Sequence, residues 1–544
     1  MIMKALLSIL FVLTSYLTTN AVDHSQRIKR DGYGNVYVLG MYQGQISIDN
    51  FSYGDAMDNT SNSYNLFIAK FDTTGNFIWL HSFDGAIIAS CSGLCPYYFG
   101  IEFDHNDDNF VIALNGADLN YDGMPIGDAN LIKLDTAGNI IWTKKCSGKG
   151  WDDANIAIDR MDNIFYSGVH NEPLTIGNLS LPATGGIMET FIAKINSSGQ
   201  ELWINNIASF SGLQENQFIT SDSAGNTYTG GMAMGEMVYG QDTINNGYFQ
   251  IYLAKTNTDG EPQYLVQYHT TPEPDGALNT HFKAGVIAAD GSLYVAGALS
   301  GTTVVNQTDT VHLHPNRNFY LAKTDPENGL AVWYKHDSIP STVVYSEANS
   351  VTTDHSNQVF ATGSNMVNGS KIDNAINAIP GDFFITFDSG GTFKCFASVN
   401  GISDGSAADE GYYTVSRSKD TLGAVWPRLV DIRITRWDKN SCIPIWQKSL
   451  NTKAFIVTVG IDEFPEFEDE HMLFPNPSST GVFQKRNEKE WVGTKLSIVN
   501  ALGQAVLFKE NNSSIDLSEN AIGIYYYKAI KGQKIKTGKL IYNR

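Results

Sequence analysis

The chain has 544 residues, of which 42% are hydrophobic and 12% aromatic, so it can bury a large core or several domains. Its formal net charge of −20 argues against binding nucleic acid by neutralising phosphates. Fifty glycines against sixteen prolines suit an all-β chain with many tight turns.

The first 21 residues have the pattern of a secretory signal peptide. A single lysine, Lys4, precedes an apolar run over residues 5–13, and small and polar residues follow up to Ala21. The run is too short for a convincing transmembrane helix, and no later segment offers about 18 consecutive apolar residues. The sequence therefore predicts an exported chain that starts near Val22 and has no transmembrane segment in its mature form.

Residues 22–458 repeat one pattern about seven times. Each copy has a hairpin-like phrase, seen first at 31–40, and, after a variable stretch, a second phrase, seen first at 66–79. The second phrase closes on an aromatic residue, and the copies place it at Trp79, Trp142, Trp203, Tyr264, Trp333, near Phe393, and at Trp446. A repeat of roughly 60 residues indicates one supersecondary unit stacked many times.

Each copy contains two predicted β-hairpins. The segments alternate apolar with polar or small residues at period two, as half-buried antiparallel strands do. Turns such as 72–76 combine Asp or Asn, which can bond the backbone two residues on, with a Gly that supplies a positive φ. Four strands per copy predict an all-β fold: a β-propeller of about seven four-stranded blades, with six to eight possible. Strands from both ends of the repeat region could complete one blade, and a β-solenoid is the competing architecture.

The phrases at 34–40 and 67–79 resemble the bacterial β-propeller repeats called SBBP. The resemblance covers residues 25 to about 450. It implies a propeller of the kind found in secreted and surface proteins, usually without assigned chemistry. The sixth and seventh copies depart most from the pattern, because both lack the lysine of the closing phrase and the sixth also lacks the tryptophan.

Five cysteines permit disulfides in an exported chain: Cys91, Cys95, Cys146, Cys395 and Cys442. Cys91 and Cys95 are close enough to staple one loop, and Cys395 and Cys442 lie in neighbouring copies that they could join. The odd number leaves one thiol over. A zinc site is not expected, because no second closely spaced Cys or His pair is present.

The end of the chain has a different character. Residues 459–471 are an acidic linker, and the short alternating segments of residues 472–544 predict a small C-terminal β-sandwich. This series resembles the type A C-terminal sorting domain of the type IX (Por) secretion system. The matching motif residues are Pro475, Asn476, Pro477, Gly481, Gly503, Gly523, Tyr525, Gly538 and Lys539. The resemblance implies outer-membrane passage through the type IX secretion machinery and, in many such proteins, removal of the domain and attachment to the cell surface. An ordinary adhesive module is the alternative.

Asp118, Asn120 and Asp122, followed by Gly123, have the opening spacing of a calcium loop, in which alternate oxygens converge on one ion. The twelfth position, however, is Ala129 where such a loop has a bidentate Glu. Asp and Gly are also common turn formers in this variable stretch. Calcium is therefore the one candidate cofactor, against an ordinary turn.

The chain lacks the nucleophile elbow, the zinc-protease motif and the phosphate-cradling loop. The sequence favours a secreted or surface-attached, non-enzymatic β-propeller that acts as a binding scaffold for an unknown surface protein or glycan. Its variable stretches are the natural recognition sites, and they are 41–65, 115–130, 170–189, 231–250, 298–317 and 364–382. The alternative is an extracellular polysaccharide hydrolase or lyase with a carboxylate cluster at the propeller channel.

Overall fold

The computed structural model describes residues 27–42, 45–48, 51–53, 65–87, 99–149, 154–210, 212–268, 270–271, 280–306, 309–313, 317–338, 346–366, 371–372, 381–399, 402–409, 411–417, 432–453, 473–474, 478–485, 495–500, 506, 509–510, 514–531 and 534–542. The predicted signal peptide, the Cys91 and Cys95 pair and the acidic linker lie outside these residues. All assigned elements in the described part of the chain are β-strands. The chain divides into two compact units, Met1–Phe455 and Ile456–Arg544.

The first unit consists of antiparallel strands joined mostly as hairpins. Its first half contains β1 (Arg27–Arg30), β2 (Val36–Tyr42), β3 (Gln45–Ile48), β4 (Phe51–Tyr53), β5 (Asn65–Phe71), β6 (Phe77–Ile87), β7 (Gly100–Phe103), β8 (Asn109–Tyr121), β9 (Met124–Asp135), β10 (Ile140–Lys144), β11 (Cys146–Lys149), β12 (Asn155–Ile158), β13 (Ile164–Ile176), β14 (Leu179–Leu181), β15 (Glu189–Ile195) and β16 (Glu201–Ile207). Its second half contains β17 (Leu213–Ser221), β18 (Thr227–Tyr239), β19 (Asp242–Thr256), β20 (Pro262–Tyr268), β21 (Thr270–Thr271), β22 (His281–Ile287), β23 (Leu293–Leu299), β24 (Thr302–Val304), β25 (Thr310–His312), β26 (Asn318–Thr324), β27 (Ala331–Ser338), β28 (Glu347–Thr353), β29 (Val359–Met366), β30 (Lys371–Ile372), β31 (Gly381–Phe387), β32 (Phe393–Ser398), β33 (Ile402–Ala408), β34 (Gly411–Arg417), β35 (Ile432–Trp437) and β36 (Pro444–Lys453).

Pairing groups these strands into consecutive four-stranded antiparallel sets, each in chain order. They are set A (β1, β2, β5, β6), set B (β7 to β10), set C (β12, β13, β15, β16), set D (β17 to β20), set E (β22, β23, β26, β27), set F (β28, β29, β31, β32) and set G (β33 to β36). Each set corresponds to one copy of the sequence repeat. The unit is therefore all-β and consistent with a propeller-like domain.

The predicted turn chemistry is confirmed in the hairpin between β5 and β6. Asp72 Oδ1 accepts hydrogen bonds from the backbone N–H groups of Thr74 (2.8 Å) and Asn76 (2.9 Å), and Gly75 has a φ of +84°. Desolvation acts to raise the pKa of Asp72, but the hydrogen bonds from Thr74 and Asn76 outweigh it and lower the pKa to about 2. The Asp of this motif therefore serves the turn.

Neighbouring sets bury apolar side chains against each other. One cluster contains Ile28 and Val38 of set A together with Tyr413 and Val415 of set G, all fully buried. Similar clusters lie between A and B, B and C, D and E, E and F, and F and G. The first strand of each set also lies beside the first strand of the next, and β33 of set G lies beside β1 of set A. Because side chains alternate between the two faces of a strand, each set supplies apolar side chains to the interfaces with both of its neighbouring sets.

Segments between the second and third strands of a set pair with the preceding set. In set E the hairpin β24–β25 pairs with β21, which follows β20 of set D, and β30 in set F pairs with β27 of set E. The C-terminal halves of β8 and β13 pair in the same way. That of β8 pairs with β6 of set A, and that of β13 pairs with β11, which follows β10 of set B. Hairpin β3–β4 of set A pairs with β36 of set G, with Ile46 opposite Thr452. The corresponding segment of set G lies outside the described residues.

The repeated Lys and Trp of the closing phrase join sets A, B and C each to the set that follows. Lys70 and Trp79 face each other across β5 and β6. Lys70 Nζ and Trp79 Nε1 both donate to the backbone carbonyl of Thr136 in set B, at 3.0 and 3.3 Å. The same two-donor contact joins set B to set C at the carbonyl of Ser197, and set C to set D at that of Thr258. These two residue types recur because they bind the next turn.

The same positions join set G to set A. Arg436, which replaces the lysine, donates from Nη1 to the carbonyl of Thr73 at 3.4 Å. The ring of Trp446 packs against Gly75, where a Cβ atom would come within 3.0 Å of the indole. The glycine therefore provides the positive φ of the turn and the space for the neighbouring tryptophan.

Cys395 and Cys442, which the sequence left as one possible pair, form a disulfide. Cys395 lies opposite Thr386 across β31 and β32. In other copies Trp occupies the position of Cys395 and Lys that of Thr386. The closing residue of the sixth copy is thus Cys395, two residues beyond the Phe393 expected from the sequence. Cys442 has a φ of +54° and lies in the turn between β35 and β36, where other copies have glycine. In other pairs of sets a Trp ring packs on a Gly at this position, whereas in sets F and G a disulfide bond makes the connection.

The second unit contains two antiparallel sheets. The strands are β37 (Leu473–Phe474), β38 (Val482–Lys485), β39 (Lys495–Asn500), β40 (Lys509–Glu510), β41 (Ser514–Asp516), β42 (Gly523–Lys531) and β43 (Lys534–Tyr542). One sheet has the order β37-β38-β41-β40 and the other the order β39-β42-β43. Phe483 and Ile515 from the first sheet and Ile498, Tyr525 and Leu540 from the second share one apolar cluster.

Candidate functional site

The predicted calcium residues lie in the hairpin formed by β8 and β9. Asp122 accepts a hydrogen bond from the backbone N–H of Ser82 at 2.9 Å, and its Oδ2 lies 2.6 Å from Nδ1 of His81. Asp118 is exposed and donates its backbone N–H to Asp128, while Asn120 is paired within the sheet. Among the described residues, no three or more His, Cys, Asp or Glu side chains gather to hold a metal ion. The calcium site stays a prediction.

The variable stretches, predicted as recognition sites, have a structural use. Parts of 41–65, 115–130, 170–189, 298–317 and 364–382 form the strands that pair with the preceding set. Within 231–250, Val238 forms an isolated bridge with Ala208, just beyond β16. The variable stretches therefore also attach sets to one another, a role that the sequence did not reveal. Recognition by their exposed parts stays a prediction.

The sets differ most in their first strands. In sets A, B and C this strand has four residues and an unbroken register with the second strand. In sets D, E and F it is longer, and the register shifts at Gln217, Lys283 and Asn349, respectively. A β-bulge of this kind re-aims a side chain and is common next to functional sites. Set G has the same register shift at Ser403.

In sets D, E and F the residue two positions before the bulge is also polar, whereas set G has Gly401 there. These polar residues are Glu215, His281 and Glu347, so that three successive sets carry two rows of equivalent polar residues. We call these six residues and Arg317 the bulge cluster. Arg317 directly precedes β26 of set E and is buried.

Glu347 is the centre of the bulge cluster. Its Oε1 accepts from Lys283 Nζ at 2.7 Å, and its Oε2 lies 3.0 Å from Arg317 Nη1 and 3.1 Å from His281 Nε2. Lys283 Nζ also donates to Asn349 Oδ1 at 3.2 Å. Three side chains of set E thus converge on one carboxylate of set F.

Burial and charge set the ionisation of this cluster. Desolvation, aided by Arg317, lowers the pKa of His281 to about 4, so the imidazole is neutral at pH 7. Desolvation acts to raise the pKa of Glu347, but Lys283 and Arg317 outweigh it and hold the pKa well below its usual range. Glu347 is therefore ionised and cannot serve as a proton donor near neutral pH.

Glu215 has the opposite behaviour. Desolvation raises its pKa to about 7, although Arg317 and the hydrogen bond from Gln217 act to lower it. The side chain is half-buried. With a pKa of about 7, Glu215 can exchange a proton near neutral pH. Sequence reasoning missed it, because its environment comes from residues of sets D and E that are far apart in the chain.

The sorting-motif residues lie in the second unit. Gly481 has a φ of +75°, and a Cβ there would come within 2.9 Å of the Ser518 backbone. The buried Tyr525 donates its hydroxyl to the carbonyl of Ala521. In the sheet, Gly523 pairs with Tyr542, Gly538 with Tyr527 and Lys539 with Tyr526. Pro475, Asn476, Pro477 and Gly503 lie outside the described residues.

Comparisons with known proteins identify this second unit. Residues 472–543 match the family described as the secretion system C-terminal sorting domain. No curated protein matches the chain. No helix able to span a membrane is found in the described part of the chain.

Solved structures resemble the chain at low identity. The Pyrococcus horikoshii acylaminoacyl peptidase is 11% identical with a TM-score of 0.37, and the match covers 76% of this chain and 51% of that chain. A structure of the eukaryotic initiation factor is 10% identical with a TM-score of 0.32, over 79% of this chain and 96% of that chain. Tricorn protease is 7% identical with a TM-score of 0.25, over 95% of this chain and 47% of that chain. The chain thus spans about half the length of the peptidase.

The family match, together with the glycine and tyrosine positions above, identifies the chain end. Residues 472–543 form a C-terminal sorting domain of the type IX secretion system, which directs the protein to the cell surface or the extracellular space.

Proposed function

We propose that residues 22–458 form a closed propeller of seven four-stranded blades, one for each of sets A to G. The apolar cluster between sets A and G supports closure, as do the pairing of β3 with β36 and the Arg436 contact with Thr73. The resemblance of the repeats to SBBP propellers agrees with this count. Blade G uses its own four strands, and the hairpin β3–β4 of blade A extends its outer edge.

The two ends of the chain serve export in this proposal. Residues 1–21 act as the signal peptide for the inner membrane, and the sorting domain engages the type IX machinery at the outer membrane. Removal of the sorting domain falls in the acidic linker at 459–471. The propeller is then released or held at the cell surface.

We propose that the exported propeller is a non-enzymatic scaffold that binds a glycan at the bulge cluster. The observation that carries this is the bulge that the first strands of sets D to G share and that sets A, B and C lack, together with the paired polar residues that sets D, E and F place there. In a propeller the first strands line the central channel, so the two polar rows lie on one side of it. Amide, ammonium and carboxylate groups together provide the donors and acceptors that sugar hydroxyls need.

The test uses the mature protein collected after export from a host with a type IX system. It is applied to an array of bacterial, plant and algal glycans, and release of reducing sugar from the bound glycans is measured. We expect binding to a subset of glycans without sugar release. Binding to none of them contradicts the proposal. Sugar release that is lost in Glu215→Gln establishes the hydrolase or lyase instead.

A further inference from the structure

We infer that Phe210 and Ile187 form an apolar platform on which one sugar ring of the bound glycan stacks. This inference rests on the proposed function and adds a second contact site to it. It follows from the exposure of the two side chains, from the way the fold holds them and from their place on the chain.

Phe210 lies in solvent on a turn whose neighbouring residues are buried. It is 55% exposed, whereas Ser209 before it is fully buried and Gly212 after it is also buried. Ile187 is 52% exposed, and Met188 beside it is buried. A large apolar side chain that an otherwise buried turn leaves in solvent is typical of a binding contact.

Hydrogen bonds fix the turn that carries Phe210 to the segment that carries Ile187. Ser209 Oγ accepts from the backbone N–H of Gly212 at 2.9 Å and closes the turn. Thr184 Oγ1 donates to the carbonyl of Ser209 at 2.9 Å, and the N–H of Ile187 donates to the carbonyl of Gly212 at 2.8 Å. The two exposed residues therefore belong to one preorganised pair of segments.

A buried carboxylate supports the same pair of segments. Glu189 Oε1 accepts from the backbone N–H groups of Thr184 at 2.9 Å and Gly186 at 3.3 Å, and its Oε2 accepts from Asn206 Nδ2 at 3.0 Å. Gly186 approaches the turn so closely that a Cβ there would come within 2.8 Å of the Ser209 carbonyl oxygen. Such support keeps a contact surface rigid, which reduces the entropy that is lost when a ligand binds.

The platform is a feature of one copy of the repeat. Phe210 follows the closing residue Trp203 by seven positions. The other copies have no aromatic residue at that distance, where they carry Ala86, Lys149, Thr271, Pro340, Ile402 and Lys453. An apolar side chain that the fold itself needed would recur with the repeat, so this one fits recognition better.

The place of Phe210 on the chain brings the platform close to the bulge cluster. Phe210 lies where β16 of set C leads into β17 of set D, and β17 begins at Leu213. Glu215 of the bulge cluster is five residues beyond Phe210, and five residues span at most about 18 Å even when fully extended. One oligosaccharide can therefore contact both.

The size of the platform favours a sugar ring over a protein. A specific protein interface buries roughly 1,200–2,000 Å², far more than two side chains supply. One face of a pyranose ring presents C–H groups, which pack on the negatively polarised face of an aromatic ring. The hydroxyls at the edge of the sugar stay available to the polar groups of the bulge cluster.

Substitution of Phe210 tests the platform. Cellohexaose, mannohexaose, xylohexaose and laminarihexaose are titrated into the mature exported protein by isothermal titration calorimetry. We expect at least one of them to bind, and Phe210→Ala to bind it about tenfold more weakly. Phe210→Trp should retain the affinity, because it keeps an aromatic face. The control is Tyr33→Ala, which should bind as the wild type does, because Tyr33 is 68% exposed but lies in the turn between β1 and β2.

Chain length decides the matter with the wild-type protein if Phe210→Ala does not fold. The hexasaccharide that binds should bind more tightly than the disaccharide of the same sugar, since only the longer chain reaches both contact sites. Equal affinities for the two lengths overturn the inference. Wild-type affinity in Phe210→Ala also overturns it, leaves the scaffold proposal standing and makes a protein the better partner for Phe210. If no hexasaccharide binds, the scaffold proposal and this inference both fail.

Discussion

At the scale of single residues, the contacts that matter join positions about one repeat apart. His281 and Glu347 are both almost fully buried and lie 3.1 Å apart, although 66 positions of sequence separate them. A lone histidine in an alternating strand carries no local signal for such a partner. The neutral state of His281 depends on burial and on Arg317, which only the folded chain supplies.

The depressed pKa of His281 predicts a loss of stability in mild acid. Its pKa is about 4 in the folded protein against 6.5 for the unperturbed group, so between these values only the unfolded chain takes up a proton. The stabilisation is complete above pH 6.5, and falling pH to 4 should remove on the order of 2–3 kcal/mol of the free energy of unfolding. Protonation of Glu347, whose pKa is also lowered, acts in the same direction at still lower pH.

Urea unfolding at pH 7 and at pH 4.5, followed by tryptophan fluorescence, measures this effect. His281→Gln should show a smaller drop between the two pH values than the wild-type protein. The control is His355→Gln, because the side chain of His355 is 82% exposed, and its drop should equal that of the wild type. An unchanged drop in His281→Gln would contradict the assignment.

At the scale of elements, each closing hairpin binds the next one. The recurrence of Lys and Trp predicts strands but does not reveal that both side chains donate to one carbonyl of the following set. The departures from the repeat are explained by the same geometry. Arg436 retains the lysine's contact, and Cys395 with Cys442 replaces the tryptophan and the turn glycine by a covalent bond. The sequence offered this pairing as one possibility, and the structure forms it because neighbouring copies are neighbours in space.

The equivalence of the disulfide and the Trp–Gly contact can be tested by exchange. Cys395→Ala with Cys442→Ala should lower the free energy of unfolding by about 3 kcal/mol, since the cross-link and its packing are both lost. Cys395→Trp with Cys442→Gly should recover much of this loss by restoring the pattern of the other copies. Thermal and urea unfolding of the two double variants provide the measurement. Equal stability of both variants would show that the positions are not equivalent.

At the scale of the whole repeat unit, the period of the sequence predicted the four-stranded sets correctly. It could not predict how one set is attached to the next, because the attaching segments vary in length and sequence. Hairpin β3–β4 shows the difficulty: its partner β36 lies about 400 residues further along the chain. No local pattern in 45–53 specifies that pairing, and it follows only from the adjacency of sets A and G.

The pairing of β3 with β36 should matter more than its equivalents inside the unit. Ile46→Pro disrupts a strand that joins sets with no chain connection nearby, so its loss is not compensated by a short loop. Thr303→Pro disrupts the matching strand between sets D and E, which the chain connects directly. We expect Ile46→Pro to lower the free energy of unfolding by about 3 kcal/mol, and Thr303→Pro by clearly less. Limited proteolysis and urea unfolding measure both, and an equal or reversed order would argue against closure.

The pairing of these segments with the preceding set has a consequence for how the number of copies can evolve. Because sets A, B, C, E and F each carry a segment that pairs with the preceding set, a copy and the segment that attaches it are inherited together. Duplicating or deleting one whole copy in the gene then creates an interface between sets of the same kind as the interfaces on either side. Natural variation should therefore add or remove whole copies. The boundaries of the added or removed segments should fall between the fourth strand of one set and the first strand of the next.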